Sequence, residues 1–126
     1  MRKREGVRYL ENARELLSKS PIENNRYVDV KYVKSAFGVA YLGLLKAIDE
    51  YLRDKGLSDK ELPKKEEEYK KALRKHASRH NGNLLREFNN LYDELHIAGY
   101  YRGLLTDTVI VKEILKRTKA FIELVK

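Results

Sequence analysis

The chain has 126 residues, of which 42% are hydrophobic and 37% charged, and 27 Lys and Arg against 19 Asp and Glu give a net charge of +8. This length accommodates one hydrophobic core and a single domain over residues 1–126. The absence of cysteine excludes disulfides, thiol nucleophiles and Cys-based zinc sites, and no apolar run approaches the roughly 18 residues of a membrane span. We therefore expect a cytoplasmic protein, and its positive charge favours an anionic partner such as RNA or a nucleotide.

Helical periodicity predicts a first helix over about residues 4–19 and a longer second helix over about residues 27–53. Ser20-Pro21 ends the first helix, because the residue before a proline is disfavoured in the α conformation. The polar residues 23–25 are then expected to form a connector.

Small residues line one side of the second predicted helix at spacings of three and four, namely Ala36, Ala40, Gly43 and Ala47. Such a ridge allows another helix to approach closely. Gly38 and Gly43 each cost about 1 kcal/mol of helix propensity relative to alanine, which suggests tight packing. The ridge therefore favours a homodimer. An apolar stripe beside it predicts that this helix is the most buried one: Val30, Val33, Phe37, Tyr41, Leu44, Leu45, Ile48 and Leu52.

Three further helices are predicted, over about residues 64–80, over about residues 83–101 and from about residue 108 onwards. Gly56 is placed to cap the second helix in the left-handed conformation, and either Thr106 or Asp107 is the N-cap of the last helix. Residues 109–111 have a strand-like composition but lead into a helical pattern. Short connections between successive helices predict an all-α, up-down helical bundle of four to five helices.

The sequence contains no glycine-rich phosphate loop, dinucleotide fingerprint or His-Glu-x-x-His pair, so we expect no cofactor and no metal. Its three histidines, His76, His80 and His96, are close in sequence and are expected near one end of the bundle. His76 and His80 are four residues apart and could share a metal ion. A half-buried position at the end of the helix is the alternative that the residue type favours.

A basic run without any acidic residue covers residues 70–79, and the aromatic and basic segment Tyr100-Tyr101-Arg102-Gly103 lies further along. Charge runs are usually solvated, and a tyrosine at a helix end usually packs inward. Basic and aromatic side chains together nevertheless pair phosphates and stack bases, so we predict contact with a polyanion. The predicted nucleic-acid-binding residues are Lys70, Lys71, Lys75, His76, Arg79, Tyr101 and Arg102.

Residues 10–17, residues 32–52 and residues 84–103 together resemble the HEPN superfamily of small helical bundles in the order and character of their helices. The last segment, with its Gly-Tyr-Tyr-Arg-Gly ending, is similar to a divergent group of bacterial members. The resemblance implies a bundle that often dimerises and that binds RNA or nucleotides. For toxin–antitoxin members it also implies a partner protein of the nucleotidyltransferase type.

Active HEPN proteins carry an arginine followed, after a short run, by a histidine, and Arg74 and His80 resemble this pair. Lys75 departs from the polar residue usual after the arginine, and six helical steps of roughly 100° leave the two side chains on different faces of an unbroken helix.

Two functions are therefore open. One is a dimeric interaction or RNA/nucleotide-binding module. The alternative is a metal-independent endoribonuclease, in which the resemblance implies proton transfer by His80 and stabilisation of the phosphorane by Arg74.

Overall fold

Five α-helices form the bundle over residues 5–76 and 82–125, which are the residues that the computed structural model describes. The all-α prediction is confirmed. The helices are α1 (Glu5–Ser18), α2 (Val30–Asp54), α3 (Glu66–His76), α4 (Asn83–Leu91) and α5 (Thr108–Leu124). A short 3₁₀ helix (Asp59–Glu61) precedes α3, and a π-helix (Tyr92–Tyr101) continues α4. None of the described helices has both the length and the apolar character that crossing a membrane requires.

The central helix α2 is the core of the bundle, as its apolar stripe predicts, except that Val30 at its first turn is 39% exposed. Phe37, Leu44 and Ile48 are at most 1% exposed, and ten residues of this helix are buried in all. Helices α1 and α5 and the π-helix pack around it, and α3 covers its C-terminal half. This arrangement leaves one face of α2 open to solvent near residues 35–42.

The small-residue ridge of α2 is covered within the single chain. A side-chain carbon added at Gly43 would lie 3.0 Å from the Gly6 carbonyl oxygen and 2.8 Å from Tyr9 Cβ, so α1 packs directly against the α2 backbone here. The other ridge residues, Ala36, Ala40 and Ala47, are at most 6% exposed. The expected close packing is confirmed, and at Gly43 and Ala47 it is α1 of the same chain that approaches. The homodimer stays a prediction, and it needs another surface.

A two-stranded hairpin occupies the segment that was expected to be a polar connector. Strand β1 (Ile22–Glu23) pairs antiparallel with β2 (Arg26–Tyr27) around Asn24 and Asn25, whose φ values are 50° and 62°. Asparagine tolerates this left-handed conformation, which a two-residue hairpin turn of the I′ type requires. Because Tyr27 belongs to the hairpin, α2 begins later than predicted, at Val30, with Asp29 Oδ1 accepting from Lys31 N at 3.2 Å.

The hairpin is fastened to the start of α5. Tyr27 N donates to Thr106 O and Thr108 N donates to Asn25 O, both at 2.9 Å. Of the two predicted N-cap residues for α5, Asp107 has this role, since its Oδ2 accepts from Ile110 N at 2.9 Å. The strand-like residues 109–111 are helical, as expected.

Candidate functional site

Four aromatic rings contact one another along the seam between α2 and the π-helix, and we call this group the ring ladder: Tyr41, Tyr92, His96 and Tyr100. The His96 ring stacks on Tyr41 at an interplanar angle of 27° and on Tyr100 at 11°, with centroids 4.8 Å and 5.9 Å away. Tyr92 adds a tilted contact with His96 at 5.4 Å. Three of the four rings project from the π-helix at intervals of four residues, and α2 supplies the fourth.

The ring ladder forms one wall of an open groove, the aromatic groove, of about 460 Å³. Its lining residues are Ser35, Gly38, Val39, Tyr41, Leu42, His96 and Tyr100. Gly38 makes the groove possible, because a side-chain carbon added there would lie only 2.8 Å from Tyr100 Cδ1. Tyr100 is 44% exposed and Leu42 is 51% exposed, so the groove presents aromatic and aliphatic surface to solvent.

A π-helix carries three rings of the ladder. Its widened hydrogen-bonding pattern ends with Arg102 N donating to Ile97 O at 2.9 Å, five residues back. Gly99 faces the core, and an added carbon there would lie 2.5 Å from Phe37 Cγ, so the backbone rests directly on the Phe37 ring. π-Helical segments are rare and occur frequently at functional sites.

Positive charge is present at both ends of this surface. Lys70 Nζ lies 5.8 Å from the Tyr92 ring centroid and also pairs with Glu66, a hydrogen bond that raises the pKa of Lys70. Along the groove face of α2, the exposed Lys31 lies one turn before Ser35, and the exposed Lys46 one turn after Leu42. Burial raises the pKa of Tyr41 and Tyr92, so both hydroxyl groups are neutral at physiological pH.

The predicted nucleic-acid-binding residues fall into two groups, which the ring ladder connects. Lys71 and Lys75 are exposed on α3, and Lys70 is half-buried against the start of the π-helix. Tyr101, at the end of the π-helix, is 70% exposed, and Arg102 beside it is exposed as well. His76 is half-buried at the C-terminal end of α3. Arg79, which was predicted to bind with them, lies outside the described residues.

The histidines do not gather as expected. The His96 ring stacks on Tyr41, whereas the His76 carbonyl oxygen accepts a hydrogen bond from the Tyr51 hydroxyl at 3.2 Å. Tyr41 and Tyr51 are ten residues apart on α2, which is about 15 Å along the helix axis. The prediction of one histidine-rich end is therefore wrong for His76 and His96. Among residues 5–76 and 82–125, no group of His, Asp or Glu is arranged to hold a metal ion.

Only one residue of the predicted catalytic pair, Arg74, belongs to the described part of the chain. Arg74 is exposed near the end of α3, and His80 lies outside the described residues. The ribonuclease alternative that rests on these two residues stays a prediction.

The sequence did not indicate that the members of the ring ladder form one site. Tyr41 was expected in the apolar stripe of the second helix and His96 near the other two histidines, and neither was expected in a site. The spacing of Tyr92, His96 and Tyr100 at intervals of four was a signal for a shared face. The stacking partner Tyr41 lies about half the chain away and gave no such signal.

Comparisons with known proteins identify a family and a similar structure. A family model described as "Domain of unknown function (DUF5618)" matches residues 1–126. A solved structure of a protein of unknown function from Dyadobacter fermentans is similar, with 31% sequence identity and a TM-score of 0.78. That match covers 98% of this chain and 92% of the other. No curated protein matches the chain.

Proposed function

Because the chain belongs to the DUF5618 family, whose description assigns no activity, we propose a function from the site itself: a HEPN-like module that binds single-stranded RNA without cleaving it. The observation that carries this proposal is the ring ladder along a solvent-open groove, in which the outermost ring, Tyr100, is 44% exposed. Bases of any sequence stack on exposed aromatic faces, and each stacked base contributes about 1–3 kcal/mol.

The charges around the ladder match the phosphates that would accompany stacked bases. Lys31 and Lys46 flank the groove on α2, and Arg102 follows the last ring. Lys70, Lys71 and Lys75 extend the positive surface from the first ring along α3. A strand lying along the π-helix would therefore meet cations at each end and rings between them. This order of groups is typical of surfaces that bind single strands.

The test is a fluorescence-anisotropy titration of a short labelled single-stranded RNA at two salt concentrations, about 50 and 200 mM. Tyr100→Ala removes an exposed ring and should weaken binding roughly 5- to 150-fold, the equivalent of one stacked base. Tyr100→Phe keeps the ring and should bind like the unmodified protein. If the alanine variant and the unmodified protein bind RNA with equal affinity, the ring ladder does not contribute to RNA binding.

The contribution of charge is tested separately. Replacing Lys70, Lys71 and Lys75 together with glutamine should flatten the dependence of log Kd on log salt, because fewer counterions are released. A matched triple replacement at Lys19, Lys60 and Lys119, which are exposed and line neither groove, should leave the slope unchanged. Equal slopes for the two triple variants would contradict a role for α3.

Cleavage is the outcome that would favour the ribonuclease alternative over a binding module. In that mechanism His80 transfers a proton and Arg74 stabilises developing charge on the phosphate. Metal-independent RNA cleavage that disappears in His80→Ala would therefore overturn the non-catalytic part of the proposal. It would also direct the search for a partner to a nucleotidyltransferase-type protein encoded by an adjacent gene.

A homodimer is the second candidate. The surface that favours it is not the buried small-residue ridge but the exposed face of α2 around Leu42. Leu42 is 51% exposed beside Val39 and Gly38, so an aliphatic knob stands next to a shallow depression on the same helix face. In a two-fold dimer the same face of both chains would meet, and each Leu42 would enter the depression of the other chain. Light scattering should then give twice the chain mass of 14.8 kDa, and Leu42→Lys should return it to the mass of one chain. If the unmodified protein has the mass of one chain, the homodimer is refuted and the groove is free for RNA.

A further inference from the structure

A second groove, separate from the aromatic one, lies between α1 and α5, and the β1–β2 hairpin closes one end of it. Its volume is about 550 Å³, within the range of about 300–1,000 Å³ that is usual for small-molecule sites. The floor and one wall are apolar and consist of Leu17, Ile22, Tyr27 and Leu115. Leu17, Leu115 and Tyr27 are at most 5% exposed, whereas Ile22 is 53% exposed. An apolar ligand would thus find a preformed surface here.

The rim of this groove is positively charged on both sides, so we call it the cationic groove. Arg14 reaches it from α1, and Lys112 and Lys116, one turn apart, reach it from α5. None of these three side chains forms an ion pair with any residue of the described part of the chain. Glu11, Glu15 and Glu113 lie on the same two helices but do not line the groove. Three converging cations without a carboxylate favour an anionic ligand.

Tyr27 provides a third, independent observation. The residue is only 5% exposed, and its hydroxyl group has no hydrogen-bond partner among residues 5–76 and 82–125. The hydroxyl oxygen is not one of the fully buried unpaired atoms, so it opens onto the groove. The other two buried tyrosines do have partners: Tyr69 donates to Asp49 Oδ1 at 2.9 Å and Tyr51 to His76 O at 3.2 Å. Since Tyr27 lines the groove, its hydroxyl is free to donate to a ligand oxygen.

We propose that the cationic groove binds a small free amphiphile with an apolar chain and one anionic head group, a carboxylate or a phosphate. The apolar chain lies over Leu17 and Leu115, and the head group meets Arg14, Lys112 and Lys116. Charge-assisted hydrogen bonds of this kind are stronger than neutral ones, and burial of the chain adds a favourable contribution for each methylene group. The site is distinct from the ring ladder, and its occupation does not require RNA.

Isothermal titration calorimetry with decanoate, kept below its micellar range, tests the proposal on the full chain. Decyl phosphate tests the second head group, and decanol provides a matched ligand without charge. We expect decanoate or decyl phosphate to bind with one site per chain, and decanol to bind roughly tenfold more weakly, since one lost charge-assisted contact corresponds to about that factor. If decanol binds with the same affinity as both anions, the groove does not recognise a negative charge, and the proposed anionic head group is wrong.

Two protein variants locate the site. The double variant Lys112→Gln/Lys116→Gln should weaken decanoate binding roughly tenfold or more, whereas the control double variant Lys19→Gln/Lys119→Gln, with exposed lysines outside the groove, should bind normally. Tyr27→Phe should cost a smaller factor, roughly two- to tenfold, for a single neutral donor. Equal losses in both double variants would show a diffuse charge effect and overturn the site.

Sedimentation with anionic phosphatidylglycerol vesicles distinguishes the source of the ligand. We expect no binding to vesicles at concentrations at which monomeric decanoate binds, because the groove accommodates a single chain. Binding to vesicles without binding to monomeric decanoate would overturn the proposal in favour of a lipid surface. The absence of binding to any of these probes would overturn it entirely.

Discussion

At the scale of single residues, the contact between Asp49 and Tyr69 contributes to how stability depends on pH. The Tyr69 hydroxyl donates to Asp49 Oδ1 at 2.9 Å. Burial raises the pKa of Asp49, against the opposing effects of this hydrogen bond and of Arg53, Lys46 and Lys64. A carboxyl whose pKa is raised on folding stabilises the fold most when it is protonated. Its contribution is present below its ordinary pKa of 3.8 and is lost as the pH rises through the raised value.

Asp49→Asn should therefore raise the thermal midpoint at neutral pH. The amide oxygen still accepts from Tyr69, while the buried charge is removed. The advantage should shrink as the pH falls through the raised pKa and disappear at the most acidic values. Thermal unfolding followed by circular dichroism across this pH range checks it; an asparagine variant that is less stable at neutral pH would contradict the assignment.

Tyr69→Phe should lower the free energy of unfolding by about 1–3 kcal/mol, because it leaves a partly buried carboxylate without its donor. The chain offers a matched control in Tyr27, which is equally buried but has no hydroxyl partner within the described residues. Tyr27→Phe should leave stability in ligand-free protein nearly unchanged. Urea unfolding of the two variants side by side measures the difference, and equal losses would refute this account.

Residue-level prediction from the sequence succeeded where the signal was local. Gly56, expected as a left-handed cap, has a φ of +103°, and Asp107 caps α5 through its own side chain. The ring ladder was missed because its members come from two segments that only tertiary packing brings together. No sequence pattern links Tyr41 with His96.

At the scale of helices, Gly43 tests how closely α1 and α2 pack. An alanine there gains about 1 kcal/mol of helix propensity but places a methyl group 2.8 Å from Tyr9 Cβ and 3.0 Å from the Gly6 carbonyl oxygen. Overpacking of this kind costs about 1–3 kcal/mol. We expect Gly43→Ala to be destabilised on balance. Asn12→Ala, at an exposed position of α1, is the control for the gain in helix propensity alone. A Gly43→Ala variant that is more stable than the unmodified protein would contradict the close packing of α1 against α2.

The start of α5 is a second test at this scale. Asp107→Ala removes the acceptor for Ile110 N and should lower the free energy of unfolding by about 0.5–2 kcal/mol. Asp107→Asn keeps an acceptor in the same place and should lose much less. Chemical denaturation of the three proteins measures the contribution of the cap; identical stabilities would mean that the hairpin alone holds this helix end.

The existence of the helices was predictable, but the form of one was not. Apolar residues at helical spacing predicted a single helix over residues 83–101, and the chain is helical there with a change to π geometry at Tyr92. The periodicity of one sequence does not resolve a change from i→i+4 to i→i+5 hydrogen bonding within ten residues. What distinguishes the two here is the contact of Gly99 with Phe37 on α2, which depends on packing rather than on local preference.

At the scale of the whole molecule, the net charge of +8 gives a testable effect on stability. The folded state holds like charges closer together than the unfolded chain does, so self-repulsion opposes folding. Raising sodium chloride from about 0.01 to 0.15 M shortens the Debye length from about 30 to 8 Å and should raise the thermal midpoint. Surface ion pairs such as Arg53–Asp59 weaken at the same time but contribute at most about 1 kcal/mol each. A midpoint that falls with salt would show that ion pairs dominate.

The overall class of the fold was predictable because amphipathic stripes recur in every segment. Which surfaces meet was less predictable, and the ridge of α2 shows why. Small residues indicate that a helix approaches closely, but they do not indicate whether that helix belongs to the same chain. Here it is α1 of the same chain, in direct contact at Gly6 and Gly43.

The fastening of the hairpin to α5 has a consequence for biosynthesis. Arg26 Nη1 donates to Thr106 Oγ1 across 80 positions of sequence, and the backbone bonds beside it span a similar distance. A ribosome makes the hairpin early and its anchor late. Until α5 has left the ribosome, the nascent chain lacks the helix whose Ile122 packs near Gly6 at the seam of α1 and α2. We therefore expect chaperones to meet an open, apolar intermediate through most of translation, and folding to be completed only when the last helix emerges.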